Sequence, residues 1–118
     1  MFDISECIER IKTGPDSCGI GMILAHQGIV RGTSRSGEPV SGMDLSVDHR
    51  RFDEALSEAR TWDGVVAADG WVNEGRLAVG DDIMKVVVAG DVRGNVIGAL
   101  QRLVGIIKDE VVTEAELR

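Results

Sequence analysis

The run Gly80-Asp81-Asp82-Ile83-Met84-Lys85-Val86-Val87-Val88-Ala89-Gly90-Asp91-Val92-Arg93-Gly94-Asn95 holds the fold in miniature. Gly80-Asp81-Asp82 is turn chemistry. Residues 83–89 are rich in β-branched side chains and read as a strong strand. Residues 90–95 read as a loop, and Asn95 is of a type that caps helices. Beyond it Val96, Ile97, Leu100, Leu103, Val104 and Ile107 recur at helical spacing, which predicts a helix to about Asp109. That apolar stripe is wide enough to face both a sheet and a neighbour.

Working outward, residues 64–72 predict a further strand through Val65, Val66, Ala67 and Ala68, and Asn73-Glu74-Gly75 turns the chain. Residues 50–62 predict a helix with Phe52, Ala55, Leu56 and Ala59 on one stripe. Val40, Met43, Leu45 and Val47 indicate a strand with Asp44, Ser46 and Asp48 on its other face. Residues 32–39 are small and polar and read as a mobile surface loop, ordered by a ligand. Residues 18–30 are apolar and read as a strand buried on both faces for part of its length. Residues 4–12 place Ile4, Cys7, Ile8 and Ile11 at helical spacing, and Thr13-Gly14-Pro15-Asp16 stops that helix. The order α-β-β-α-β-β-α predicts one α+β domain over residues 1–118, with helices packed on a mixed or antiparallel sheet.

Composition bounds the function. The chain has 118 residues, 43% of them hydrophobic, enough for a sizeable core. It carries 13 Lys plus Arg against 20 Asp plus Glu, a formal charge of −7. Nucleic acid is therefore not the expected partner, since phosphate binding needs clustered cations. Aromatic residues are 3%, too few for a base-stacking platform. The longest charge-free stretch, residues 17–30, falls short of the ~20 apolar residues of a membrane span. The N-terminus lacks the basic flank and apolar stretch of a secretory signal, so a cytoplasmic protein is expected. Cys7 and Cys18 read as small hydrophobes in a reducing compartment. Two cysteines and two distant histidines make no zinc site, and no cofactor is implied.

The nucleophile elbow, the metalloprotease helix motif, the P-loop and the dinucleotide fingerprint are all absent, and Gly19-Ile20-Gly21 is too slight for a phosphate loop. What remains is a set of cations at element ends. Arg31 follows the first strand, Arg93 precedes the last helix, and Lys108 ends it. A lysine at a helix C-terminus also complements the macrodipole, and an arginine before a helix also serves as a solvated charge. Arg93 and Lys108 are on the order of 20 Å apart along the helix at ~1.5 Å per residue, so one anionic site using both must form between subunits. His26 and His49 are acid–base groups by type, with His49-Arg50-Arg51 at a surface-exposed helix start. Trp62 and Trp71 read as core or interface anchors.

Gly75-Arg-Leu77-Ala-Val-Gly80-Asp81 followed by Ile83-Met-Lys-Val-Val-Val-Ala and Asp91-Val-Arg93 resembles the pattern G-x-L-x-x-G-D-x-x-V-x-V-x-V-x-x-x-H-R. That pattern belongs to the large, catalytic subunit of molybdopterin synthase, the MoaE family. Residues 18–31, ending Gly28-Ile-Val30-Arg31, resemble that family's G-A-x-x-x-F-x-G-x-V-R strand, and Ile106-Ile-Lys108 resembles its lysine-bearing helix end. The likeness covers roughly residues 1–110.

The resemblance implies an α/β hammerhead fold and a homodimer that binds two small ubiquitin-like subunits. It also implies transfer of sulfur from the small subunit's C-terminal thiocarboxylate to cyclic pyranopterin monophosphate, in a basic pocket across the dimer interface. By the same resemblance Lys108 is the catalytic residue, and Arg31 and Arg93 bind substrate. Lysine can link transiently to a carbonyl or supply a proton, and arginine holds phosphate bidentately.

The sequence departs from the pattern at defined places. Val92 stands for the histidine before Arg93, and Val72-Asn73 for an earlier His-Arg. His26 stands for the strand phenylalanine. Residues 109–118 replace a P-F-W-K-[KR]-E segment, with Ala115 at its lysine. Two readings follow: a divergent sulfur-transferring subunit, or a non-catalytic homodimeric scaffold that kept the fold.

Overall fold

Strand β5 (Asp82–Gly90) is the centre of the molecule, and from Ile83 to Gly90 every residue is buried. The computed structural model describes residues 1–118. In it β5 is flanked on both edges by antiparallel partners, β1 (Met22–Ile29) and β3 (Val65–Val72). A strand paired on both edges and covered on both faces has no use for alternation, which explains its continuous β-branched run.

One face of this sheet is covered by α3 (Arg93–Ile106), and α2 (His49–Ala59) packs against β3 and α3. The other face carries α1 (Ile4–Lys12), whose Cys7 is buried. There Lys85 reaches out from β5, donates to the Phe2 carbonyl at 3.0 Å and lies over the Trp71 ring. Caps fix two of the helix starts. Asp3 accepts from the Glu6 N–H, and Asp48 accepts from the Arg51 N–H.

A second three-stranded antiparallel sheet has the order β4-β2-β6, built from β2 (Gly42–Val47), β4 (Gly75–Ala78) and β6 (Val112–Leu117). Met43, Leu45, Leu77 and Val112 join its inner face to the same hydrophobic cluster as β5, α2 and α3. On the outer face Arg76 makes a bidentate pair with Asp44 directly across the ladder, 2.8 Å for each contact.

The α+β class and antiparallel pairing agree with the sequence reading, and four details differ. There are two sheets, with β4 and β6 added to the expected strands. β1 begins at Met22 and is half-buried with an exposed residue at every second position from Ala25, because α3 covers only one of its faces. Residues 32–39 are ordered by their own contacts. The Ser34 N–H donates to the Glu38 carbonyl at 2.8 Å, the Glu38 N–H to Ser34 Oγ, and Gly37 turns at φ 87°. Finally, α3 starts at Arg93 with Val92 as N-cap, so Asn95 lies inside the first turn. No helix is long and apolar enough to cross a membrane.

Candidate functional site

Arg31 extends directly from Val30, which is buried in the core at the end of β1. Its Nε donates to the Thr33 carbonyl at 3.1 Å, which turns the guanidinium along the ordered 32–39 hairpin. The remaining guanidinium donors have no partner in the chain.

Arg93 is the first residue of α3, exposed and without an ion pair. The backbone beneath it is fixed. Asp91 Oδ1 accepts from the Val92 N–H at 2.6 Å and from Asn95 Nδ2 at 2.9 Å, so Asp91 ties the helix start and Asn95 is its ligand. Asn95 leads these contacts in holding the Asp91 carboxyl below its ordinary value of 3.8. The Asp91 N–H donates to the Gly64 carbonyl at 2.9 Å. Gly64 has φ 78°, and a Cβ there would strike Asn95 Nδ2 and Asp91 Oδ1. A Cβ on Gly21 would strike the Asp91 carbonyl oxygen. Gly21 is thus a close-approach glycine, required by the neighbouring backbone and not by a phosphate. A cleft of about 460 Å³ runs along the first turns of α3 without being lined by Arg93. Gly94, Gly98 and Trp62 line it, with Arg102 stacked 4.1 Å over the Trp62 ring.

Lys108 sits at the far end of this helix, in a π turn (Ile107–Val111) that follows α3. The wide turn lets Ile107 and Val111 both point into the core while residues 108–110 face solvent. Lys108 Nζ pairs with Glu114 Oε1 of β6 at 3.1 Å. Glu110 in the same turn pairs with Arg51 at 3.2 Å. So the acidic end of the chain is partly spent on local ion pairs, one of them on the candidate lysine itself.

The structure therefore separates Arg93 and Lys108 to opposite ends of one helix, as the spacing predicts. Sequence reasoning gave His26 and His49 equal standing, and the structure divides them. His49 Nε2 bonds Glu74 Oε1 at 3.0 Å, and Glu74 Oε2 accepts from the Val47 N–H at 3.1 Å. Those bonds, the His49 one foremost, hold the Glu74 carboxyl below its ordinary 4.5, and the His49 contact ties the start of α2 to the turn between β3 and β4. His26 lies in β1 with Nε2 buried and unpartnered. Nothing in the sequence marks the Glu114 contact or the buried ring nitrogen. The Glu114 contact depends on β6 and the π turn.

Comparison with protein families matches the family described as MoaE protein over residues 1–110. That span includes Arg31, Arg93 and Lys108. No curated protein matches the chain. Among solved structures, one titled molybdopterin cofactor biosynthesis protein E, from Burkholderia multivorans, superposes with a TM-score of 0.75 at 20% identity, covering 99% of this chain and 82% of that one. Molybdopterin synthase from Staphylococcus aureus gives 0.71 at 17% identity over 83% of this chain and 74% of that one. A protein–protein complex of subunits 1 and 2 of the molybdopterin-converting factor from Helicobacter pylori gives 0.70 at 16% identity over 98% and 78%.

Proposed function

The chain belongs to the MoaE protein family, and on that premise we propose that it acts in molybdenum cofactor biosynthesis as the large subunit of a molybdopterin synthase. The reaction is transfer of sulfur from a small-subunit thiocarboxylate to cyclic pyranopterin monophosphate. The observation that carries the reading is the family match over residues 1–110.

Within that reading Lys108 is the catalytic residue and Arg31 and Arg93 hold the anionic substrate. Arg93 has no counter-ion and stands at a helix N-terminus, where the macrodipole opposes a cation. An arginine in that setting is available to an incoming phosphate, which it binds through two parallel N–H bonds. The span of α3 keeps Arg93 and Lys108 of one chain in different places, so the working site takes Arg93 from one copy and Lys108 from the other. A homodimer that engages the small ubiquitin-like subunit follows from this.

The test is reconstitution. Purified chain, thiocarboxylated small subunit and pterin precursor should yield molybdopterin, and Lys108→Ala should abolish it. Absence of product with a competent partner overturns the reading. Two observations favour a second reading, a non-catalytic homodimeric scaffold: the candidate lysine is paired with Glu114, and Ala115 stands at the second lysine's place. A titration showing that the chain binds the small subunit but yields no product would select it.

A further inference from the structure

The edge of a sheet is a row of backbone donors and acceptors, and the two sheets of this chain have four such edges. Three are guarded. On β3, Arg60 Nε donates to the Ala68 carbonyl at 3.0 Å, and α2 packs against the strand. β4 has four residues, and its Ala78 N–H already donates to Asp81 Oδ2 at 2.8 Å. β6 carries Glu114 and Glu116 two residues apart and so on one face, where a copy laid against it would meet like charge. β1 has no such guard. It is eight residues long and contains no Asp, Glu, Lys, Arg or Pro. Its ladder with β5 uses one edge over the whole length, and no backbone group of the chain bonds to the other. A long uncharged edge is a template for a further strand.

Large apolar side chains stand exposed at both ends of this strand. At its start is Val92, one residue after Asp91, whose carbonyl oxygen fills the place of a Gly21 Cβ. At its end are Ile29 and Val79, the latter 3.6 Å from the place of a Gly32 Cβ. The candidate cations divide in the same way. Arg93 stands at the start and Arg31 leaves the end. Only Asp91 and Val92 separate β5 from α3, which packs on β5 and β1, so the helix runs back along the sheet. Its 14 residues span roughly 21 Å against roughly 26 Å for β1, which delivers Lys108 towards the Arg31 end.

We propose that β1 pairs antiparallel with β1 of a second copy of this chain, joining two three-stranded sheets into one of six strands across a two-fold axis. Opposed residues of a ladder share a face, so the axis falls on a residue at mid-strand, Ala25 or His26. Such an axis is perpendicular to the sheet. Both α3 helices therefore lie side by side on one face, oppositely directed. The start of each β1 lies against the end of the other. Arg93 of one copy is brought to Arg31 and Lys108 of its partner, and Val92 to the end that carries Ile29 and Val79. The interface is isologous, so two such composite sites form. A second copy is the occupant because the strand has no charge to set against itself, and because antiparallel pairing unites cations that one chain keeps apart. The composite site rests on the function proposed above, whereas the pairing does not.

The test begins with sedimentation of the full-length chain, which should run as a dimer. Ala25 is exposed and within one residue of either axis. Ala25→Glu and Ala25→Lys, each alone, set like charges against one another and should raise the dimer dissociation constant tenfold or more. Mixed in equal amounts they should restore the dimer, since opposite charges then face. A monomeric parent overturns the proposal. So does an Ala25→Glu dimer as tight as the parent, or a mixture that stays dissociated. Circular dichroism checks that the charged variants fold. Where they do not, cysteines decide. In a Cys18→Ser background, Ala25→Cys alone should cross-link two chains on mild oxidation if the axis is at Ala25, and Ala25→Cys with Gln27→Cys if it is at His26. Facing Cα atoms of a ladder lie about 4.5–5.5 Å apart, within reach of a disulfide. Absence of cross-linked dimer in both overturns the pairing. Cross-linked dimer without sulfur transfer in the parent fails the proposed function and leaves the pairing standing. Product from a parent whose cysteine variants do not cross-link fails the pairing and leaves the function standing.

Discussion

At its N-terminal end, helix α3 is pinned by backbone and bare of counter-charge. At its C-terminal end it runs into a π turn and its cation is paired. Around Arg93 the fixed elements are Gly64, Asp91 and Asn95, and the arginine side chain meets no acid. Around Lys108 the side chain is fixed by Glu114, 46% and 27% exposed respectively, and the turn beneath it is wide. The same helix thus presents one cation without a counter-charge and one that is paired. Rigidity of the backbone and availability of the charge are set independently.

The largest effects should come from breaking the proposed shared site. Arg93→Ala and Lys108→Ala, assayed separately for sulfur transfer, should each lose about 10²-fold or more, as expected when a charge contact to the reacting groups is removed. Mixed in equal amounts and allowed to exchange subunits, they should recover about a quarter of the parent activity, because half the dimers hold one intact site of two. No recovery would mean that the two ends do not serve one site.

Next in size is the contrast in backbone tightness. Gly64→Ala should destabilise by roughly 2–4 kcal/mol in denaturant unfolding, from its φ of 78° and the blocked contacts with Asp91 and Asn95. A Cβ on Gly105, near the other end of α3, would meet nothing within 4 Å, so Gly105→Ala should stabilise by about 0.5–1 kcal/mol. Equal effects at the two glycines would erase the comparison.

A pH series sharpens the Lys108 end. The folded chain binds a proton at His26 less readily than the unfolded chain does. Stability should therefore fall as pH drops below 6.5 towards the lowered folded value, and His26→Phe should lose that part of the fall. Further down, Asp44, Glu74 and Asp91 all have lowered folded values, chiefly through Arg76, His49 and Asn95. Their contributions are complete above the ordinary carboxylate range and are lost below it in both proteins. The smallest effect belongs to the other end. Arg93→Gln should raise stability by about 0.3–1 kcal/mol, since it removes a cation from a helix N-terminus.

Much of this was legible in the sequence, for reasons that also explain what was not. β5 announces itself because it is buried on both faces and its composition has no competing signal. β4 has only Leu77 buried among its four residues, too short for alternation to show. β6 lies at a sheet edge with Thr113, Glu114, Ala115 and Glu116 exposed, so its acidic composition reads as a tail. Residues 32–39 look mobile because Ser34, which orders them, is polar even though it is buried. The candidate cations were visible because they stand at element ends. The Glu114 counter-charge of Lys108 and the buried face of His26 were not, since each depends on residues brought in from another strand.

The π turn also indexes direction. Its N–H of Val112 reaches back to Ile107, one residue further than an α-helix would allow. One residue of α-helix is about 100° of rotation, so everything after Ile107 leaves the helix with that much phase added. The sheet edge to which β6 is delivered is set by this single surplus residue. Deleting Asp109 or Glu110, both exposed, would re-aim β6 while leaving α3 and Lys108 in register.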